Sequence, residues 1–440
     1  MTAEVVDQRY HLPYAWLPGG VARDVTLSVR AGRWVRVVSD DPGDGAEQLP
    51  GLGLPGLANA HSHAFHRALR GRTHVGGTFW TWRQAMYDIS ARLDPDSYLA
   101  LARAAYAEMA LAGITTVAEF HYVHHQPCGA PYADPNVMGH ALAQAACDAG
   151  IRLTLLDTCY LAGGLSQSGE LPLAPEQRRF ADADADAWAV RVAGIADAPG
   201  LRIGVAAHSI RAMPPSALRR VVEVAAGRPL HVHVSEQPAE NAACQAVHGC
   251  SPVQLLAEHA VLAPMTSLVH ATHLSDSDVS TIAASGSRVC LCPTTERDLA
   301  DGIGPAARLA VAGVPLSLGT DQHAVVDVFE EMRAVEMHER VRTLQRGVFE
   351  PAALLAAATD HAGLGWPDAG RLEVGARADL VTVRTDTVRT AGAAPAQVLS
   401  AATAADVDSV LVAGEPVVRA GRHRMGDVGA MLVAAIGALC

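Results

Sequence analysis

Lysine is missing from this 440-residue chain, so all 34 of its strongly basic side chains are arginines. A Schiff-base lysine, a pyridoxal-phosphate lysine and a P-loop lysine are excluded, because each needs an amine that a guanidinium cannot replace. Half of the residues are hydrophobic, yet no run of about eighteen uninterrupted apolar residues occurs, so no segment reads as a bilayer span. The apolar residues 429–440 are too few. The opening Met-Thr-Ala-Glu-Val-Val-Asp has no basic segment followed by an apolar one, and a secretory signal is not expected. The eight cysteines have no spaced framework, which predicts reduced thiols, no disulfides and a cytoplasmic location. Positive charge is also scarce: the net charge of −12 speaks against nonspecific binding to nucleic acid, which needs a basic patch. Any anionic partner must therefore be met by local arginines.

The length suits one large α/β barrel with a satellite domain, or two to three ordinary domains. Residues 1–53 carry short alternating segments, Val25-Thr-Leu-Ser-Val-Arg30 and Arg33-Trp-Val-Arg-Val-Val38, that predict β-hairpins. From Leu54 the rhythm changes. Asp94-Pro-Asp opens a helix with a cap residue and Pro in the first turn, Tyr98, Leu101, Ala105 and Met109 recur at helical spacing, and Gly113 precedes the strand Ile114-Thr-Thr-Val-Ala-Glu-Phe120. The unit recurs with Gly150 before Ile151-Arg-Leu, Gly227 before Leu230-His-Val-His-Val234, Gly286 before Arg288-Val-Cys and Gly313 before Val314-Pro-Leu. With Leu201-Arg-Ile-Gly-Val, Thr266-Ser-Leu-Val-His270 and the opening strand, eight strands alternate with helices. The expected fold is α/β: a (β/α)8 TIM-like barrel over residues 54–370, inserted into a small β-sandwich built from residues 1–53 and 371–440. Ala181-Asp-Ala-Asp-Ala-Asp-Ala-Trp188 reads as a solvated helix surface, and Gly163-Gly164 as a flexible loop in preference to a ligand-lining segment. Cys290 and Cys292, on an apolar strand, read as buried core residues rather than ligands.

Leu57-Ala-Asn-Ala-His-Ser-His63 ends an apolar run in His-x-His, and side chains two apart on a strand share a face. Two parallel imidazoles are half of a metal site, and alone they are equally a coincidence. In such a barrel the active site lies at the carboxyl ends of the strands. Those ends carry Glu119-Phe-His-Tyr-Val-His-His125, His208-Ser-Ile-Arg211, His231-Val-His-Val-Ser-Glu236, His270-Ala-Thr-His273, Cys292-Pro-Thr-Thr-Glu296 and Gly319-Thr-Asp-Gln-His323. Imidazoles and carboxylates at one rim are what a hydrolytic Zn2+ or Fe2+ centre needs.

The His-x-His, a His followed three residues later by Glu, a His on strand six and an Asp on strand eight resemble the amidohydrolase superfamily in its one-metal deaminase branch. Gly370-Arg-Leu-Glu-Val-Gly-Ala-Arg-Ala-Asp-Leu380 is similar to that superfamily's return into its β domain, and the missing lysine fits, since the two-metal branch commonly carboxylates one. His61-Ser-His-Ala-Phe, Phe79-Trp-Thr-Trp-Arg83, Val117-Ala-Glu-Phe-His-Tyr-Val-His-His125, His208-Ser-Ile-Arg211, Ser235-Glu-Gln237 and Cys292-Pro-Thr-Thr-Glu296 resemble the formimidoylglutamate deiminases of histidine degradation. The resemblance implies one divalent metal per subunit, Zn2+ or Fe2+, on His61, His63 and His233, with Asp321 as a fourth ligand or partner of the metal's water. His231 shares a face with His233, whose spacing to Glu236 matches the family pattern. Arg83, Tyr122, His208 and Arg211 would hold the two carboxylates of a small dianionic substrate, and His66 stands where the family's Gln is expected, exchanging an amide for an imidazole.

The implied reaction converts N-formimidoyl-L-glutamate to N-formyl-L-glutamate and ammonia. Asp321 would take the water proton, Glu236 would protonate the leaving nitrogen and His270 would stabilise the tetrahedral centre. A homodimer is implied by the resemblance alone. Two other readings compete: a deaminase of a nucleobase or other heterocycle, which should offer amides and a stacking surface, and a metal-free barrel acting as a scaffold.

Overall fold

Eight parallel strands run in chain order around one sheet: Leu57–Ser62, Ile114–His121, Arg152–Cys159, Leu201–Ser209, Leu230–Val234, Thr266–His270, Arg288–Leu291 and Leu316–Leu318. Backbone contacts join the last strand end to the first. Ser62 bridges Asp321 in parallel, the Asp321 N–H donates to the His61 carbonyl at 3.0 Å, and the His63 N–H donates to the Asp321 carbonyl at 3.1 Å. This computed structural model describes residues 8–73 and 77–440. The opening heptapeptide read for a secretory signal, which is also the start of the predicted N-terminal β segment, lies outside the described residues.

Five of the barrel strands are buried along their whole length, because helices cover one face and inward side chains fill the other. The expected helix spans Pro95–Leu111, where an Asp94 carboxylate oxygen accepts from the Ser97 N–H at 2.7 Å. Gly113 ends that connection at φ 89°, a left-handed turn open to glycine at no steric cost, and its carbonyl accepts from Leu57 N–H at 3.1 Å.

Both ends of the chain meet in a second, nine-stranded sheet. Gln8–Leu17, Gly20–Arg30 and Arg33–Val38 form an antiparallel meander, and Leu52–Pro55 joins Gln8–Leu17 to Leu380–Val383, which continues through Val407–Val412 to Glu415–Arg419. The strands are hydrogen-bonded as one sheet that curls over its own core, rather than as two separate stacked sheets. Trp34 N–H donates to the Ala376 carbonyl at 2.9 Å and Ala378 N–H to the Gly32 carbonyl at 2.9 Å, so Leu12, Leu27, Trp34, Leu380 and Leu411 are enclosed from both sides. The pronounced twist of short antiparallel strands makes that curl possible. The chain after this sheet is not strand: Val428–Gly437 is a helix packed on Pro95–Leu111, against the barrel.

The acidic run also departs from its reading as a plain solvated surface. Asp184 caps the helix Ala185–Val192, Asp182 bonds Arg191 at 2.9 Å, and Trp188 is fully buried with its indole N–H on Asp157 at 3.0 Å. Gly163 and Gly164, read as a flexible loop, lead into a hairpin of Gly164–Ser166 and Gly169–Leu171. No helix among the described residues is long and apolar enough to cross a membrane.

A buried ion pair ties barrel to sheet. Arg152 on the third barrel strand donates to both oxygens of Asp379, one at 2.9 Å, and both side chains are buried. Arg152→Met is expected to destabilise the fold by about 3–5 kcal/mol, because it strands a buried carboxylate. Urea unfolding checks this, with Arg152→Met/Asp379→Leu recovering most of the loss.

Candidate metal centre

The bend after the first strand aims its histidines. Ser62, between them, turns away from the site and donates to a Glu119 oxygen at 2.6 Å, while the other Glu119 oxygen accepts from Ala64 N–H at 2.6 Å. Burial lifts Glu119 to about 8, against the pull of the hydrogen bonds from Ser62 and Ala64. Glu119 thus clamps the strand end from behind rather than joining the rim acids.

His61 and His63 are thereby turned inward to meet His233 and Asp321. The His233 and His61 Nε2 atoms are 3.0 Å apart, and Asp321 Oδ1 is 3.4 Å from the Nε2 of both His61 and His63. The tautomers follow from the other ring nitrogens. His63 Nδ1 lies 3.0 Å from the Phe120 carbonyl and His233 Nδ1 2.9 Å from the His208 carbonyl. A carbonyl only accepts, so both rings carry their proton on Nδ1 and aim a lone pair from Nε2 into the cluster. Burial, and the neighbouring imidazoles after it, drive all three histidines down, His63 to about 3, which leaves them neutral near pH 7. Lone pairs and a carboxylate oxygen crowded this closely, held by backbone carbonyls, fit a divalent cation.

Three strand ends reach the centre through left-handed backbone at non-glycine residues, Ser235 at φ 50°, His270 at φ 69° and Asp321 at φ 41°. Such strain costs about 1–3 kcal/mol per residue and clusters at functional sites. His270 Nε2 is 3.7 Å from Glu236 Oε1 and 3.7 Å from Asp321 Oδ2, and its Nδ1 is 3.5 Å from Glu296 Oε1. Burial opposes a charge on this ring, but Glu236, Glu296 and Asp321 outweigh it and hold the imidazole up at about 10.

A pocket opens onto the cluster, lined by ten of the eleven residues singled out from the sequence: His63, His66, Arg83, Tyr122, His208, Arg211, His233, Glu236, His270 and Asp321. The eleventh, His61, is fully buried behind them with Nε2 in the cluster. Arg211 donates to Glu236 at 2.8 Å and lies 3.8 Å from Glu240. Burial disfavours its charge, but Glu240 and Glu236 together hold its pKa above the usual value. Arg83 lies against the rings of Trp80 and Tyr87. His66 Nε2 is 2.9 Å from the Tyr122 hydroxyl, and its ring centroid is 4.5 Å from that of His63.

Other rim residues go elsewhere. His124 bonds the Thr158 carbonyl at 2.9 Å, and Asp157 is taken by Arg191 at 2.6 and 2.8 Å. His231 is fully buried one pleat deeper than His233 and outside the cluster. Cys290 and Cys292 are buried, as expected, with the Cys292 thiol within 4.8 Å of His270 and Glu296 ligand atoms. Sequence reasoning passed over Tyr160 and Glu240, of which only Glu240, four residues after Glu236, carried a signal, and it read Gly163-Gly164 as a loop where the structure places both glycines in the pocket lining.

The family model for the amidohydrolase family matches residues 53–417. A formimidoylglutamate deiminase of Pseudomonas aeruginosa is 39% identical over 93% of this chain and 94% of its own length. An 8-oxoguanine deaminase of the same organism is 29% identical over 82% and 81%. A crystal structure of an amidohydrolase from Brucella melitensis superposes with a TM-score of 0.90 at 32% identity, covering 98% of this chain and 99% of that one. An adenosine deaminase from Xanthomonas campestris with bound zinc shares the fold at 23% identity and a TM-score of 0.84, over 98% and 97% of the two chains. With the match spanning the barrel and the strands Leu380–Val383 and Val407–Val412 of the terminal sheet, this chain belongs to the amidohydrolase family, hydrolases that act on carbon–nitrogen bonds.

Proposed function

We propose that the chain hydrolyses N-formimidoyl-L-glutamate to N-formyl-L-glutamate and ammonia, a step of histidine degradation. The observation that carries this reading is the placement of Arg83 and Arg211 in one pocket with the histidine cluster, two guanidiniums for the two carboxylates of a dianion. The similarity to a formimidoylglutamate deiminase along nearly the whole chain supports it.

In this reading His61, His63, His233 and Asp321 hold one divalent cation, Zn2+ or Fe2+, which when bound brings a water's pKa to about 7. Asp321 Oδ2, beside His270 Nε2, receives the water proton. Glu236 delivers a proton to the departing nitrogen, and the His270 ring, flanked by Glu236 and Glu296, stabilises the tetrahedral centre. Arg211 starts on Glu236, so a substrate carboxylate must compete for that guanidinium as it binds. Tyr122 and His66 wall the pocket as a bonded pair.

A second reading, a heterocycle deaminase, draws on the 8-oxoguanine deaminase relative and on the aromatic wall of Phe79, Trp82, Tyr122 and Tyr160. Against it, among the described residues no Asn or Gln side chain lines the pocket to read a neutral ring. The test is ammonia release from N-formimidoyl-L-glutamate, N-formimidoyl-L-aspartate, guanine and cytosine. The glutamyl compound should have the highest kcat/KM, and Arg83→Met or Arg211→Met should each raise its KM about ten- to a hundredfold, the worth of a charged hydrogen bond. Turnover of guanine or cytosine alone would transfer the assignment to the second reading.

A further inference from the structure

Beside Arg83 the pocket holds a hydroxyl whose direction is set by its neighbours. Tyr160 follows the third barrel strand, and its ring is buried edge-on against His208 at 4.7 Å and Phe180 at 5.7 Å. Its oxygen lies 2.8 Å from Gln177 Nε2 and 3.4 Å from Arg83 Nη2. The Gln177 amide cannot be reversed: its Oε1 accepts from Ala174 N–H at 2.8 Å, so its NH2 faces Tyr160, Tyr87 at 3.1 Å and the Gly163 carbonyl at 2.9 Å. Neither an amide NH2 nor a guanidinium accepts a hydrogen bond. Toward both neighbours the Tyr160 oxygen can only accept, so its own proton is the remaining donor. Among the described residues no protein acceptor takes that proton, and Tyr160 lines the pocket.

Non-local packing builds this arrangement. Gln177 sits on the short helical turn Pro175–Phe180, beyond the hairpin that starts at Gly164. A Cβ on Gly163 would fall 2.0 Å from the Pro172 carbonyl oxygen, so glycine is what lets the hairpin close over Tyr160.

We propose that Tyr160 is a substrate-contact residue whose O–H, aimed by Gln177 as a positioning residue, donates to the same substrate carboxylate that Arg83 pairs with. This rests on the dianion reading above and deepens it: the Arg83 end of the pocket is a two-donor seat, and Arg211 serves the other carboxylate.

Tyr160→Phe keeps the ring and removes the hydroxyl. The KM for N-formimidoyl-L-glutamate should rise about ten- to a hundredfold with kcat within about threefold, the effect of one hydrogen bond to a charged group. The penalty should vanish for one of two truncated substrates, 4-(formimidoylamino)butanoate or N-formimidoyl-L-norvaline, whichever lacks the carboxylate seated by Arg83. Gln177→Leu should give a smaller rise in KM that disappears in the Tyr160→Phe background. A Tyr160→Phe KM within twofold of wild type, or an equal penalty on both truncated substrates, overturns the proposal. Calorimetric titration with glutarate separates it from the substrate assignment. If the wild type releases no ammonia from N-formimidoyl-L-glutamate, that assignment falls by itself. Tyr160 is then judged by glutarate: tenfold weaker binding to Tyr160→Phe upholds the seat, and equal binding, or none by the wild type, overturns it.

Discussion

Glu236→Gln is expected to bind metal and substrate and to lose turnover by orders of magnitude. The side chain leaves the fifth barrel strand through the left-handed turn at Ser235, with Oε1 3.7 Å from His270 Nε2 and Oε2 2.8 Å from Arg211. Glutamine has the same shape, and its amide oxygen still accepts from Arg211, so the guanidinium stays in place. What it cannot do is carry a proton to the departing nitrogen. General acid–base catalysis contributes about 10²–10⁴-fold, and no other pocket carboxylate is as free to supply it: Asp321 lies within the cluster. Steady-state kinetics should therefore show kcat reduced by that order, KM changed by less than about tenfold, and an unaltered circular dichroism spectrum. A kcat near wild type would remove Glu236 from the mechanism.

His63→Ala should abolish activity through the metal rather than through the fold. The ring aims its Nε2 at Asp321 and is held by the Phe120 carbonyl behind it, so its loss opens the cluster and leaves no group to replace the donor. Purified wild type is expected to carry one Zn2+ or Fe2+ per subunit by elemental analysis, and the variant far less. Chelation of the wild type should stop ammonia release, and readded metal should restore it. Full metal content and turnover in His63→Ala would rule out this ligand set and leave the barrel's chemistry to other groups.

How far the chain could be read in advance differs from residue to residue. The helix-Gly-strand units were legible because capping and helix endings are local: Asp94 and Gly113 act on neighbours a few residues away. Most of the pocket residues were legible because they lie at or just beyond strand ends, which barrel geometry collects at one rim, whereas Arg83, inside the helix Phe79–Ser90, was read from the family resemblance. Glu119 and His121 met the same criterion and yet face away from the site. On that strand Phe120 and Tyr122 point inward, with Phe120 4.3 Å from the His233 ring between centroids. A strand buried on both faces shows no polar alternation, so its inner and outer sides cannot be told apart along the chain. Residues 428–437 were grouped with the β domain for want of periodicity in an almost wholly apolar segment, where packing on another helix decides the state.

By itself, then, the sequence determined the number and order of the barrel strands, the imidazole and carboxylate character of the rim, and, through the missing lysine, the chemistries it cannot perform. These follow from local periodicity and from side-chain type, which do not depend on distant contacts. Only the tertiary structure decided which rim acids reach the centre, which nitrogen of His63 and His233 faces it, and where the Tyr160 hydroxyl points. Each of those depends on a carbonyl or amide brought in from elsewhere in the chain, Phe120, His208 and Gln177, and a hydrogen bond's direction exists only once both partners are in place.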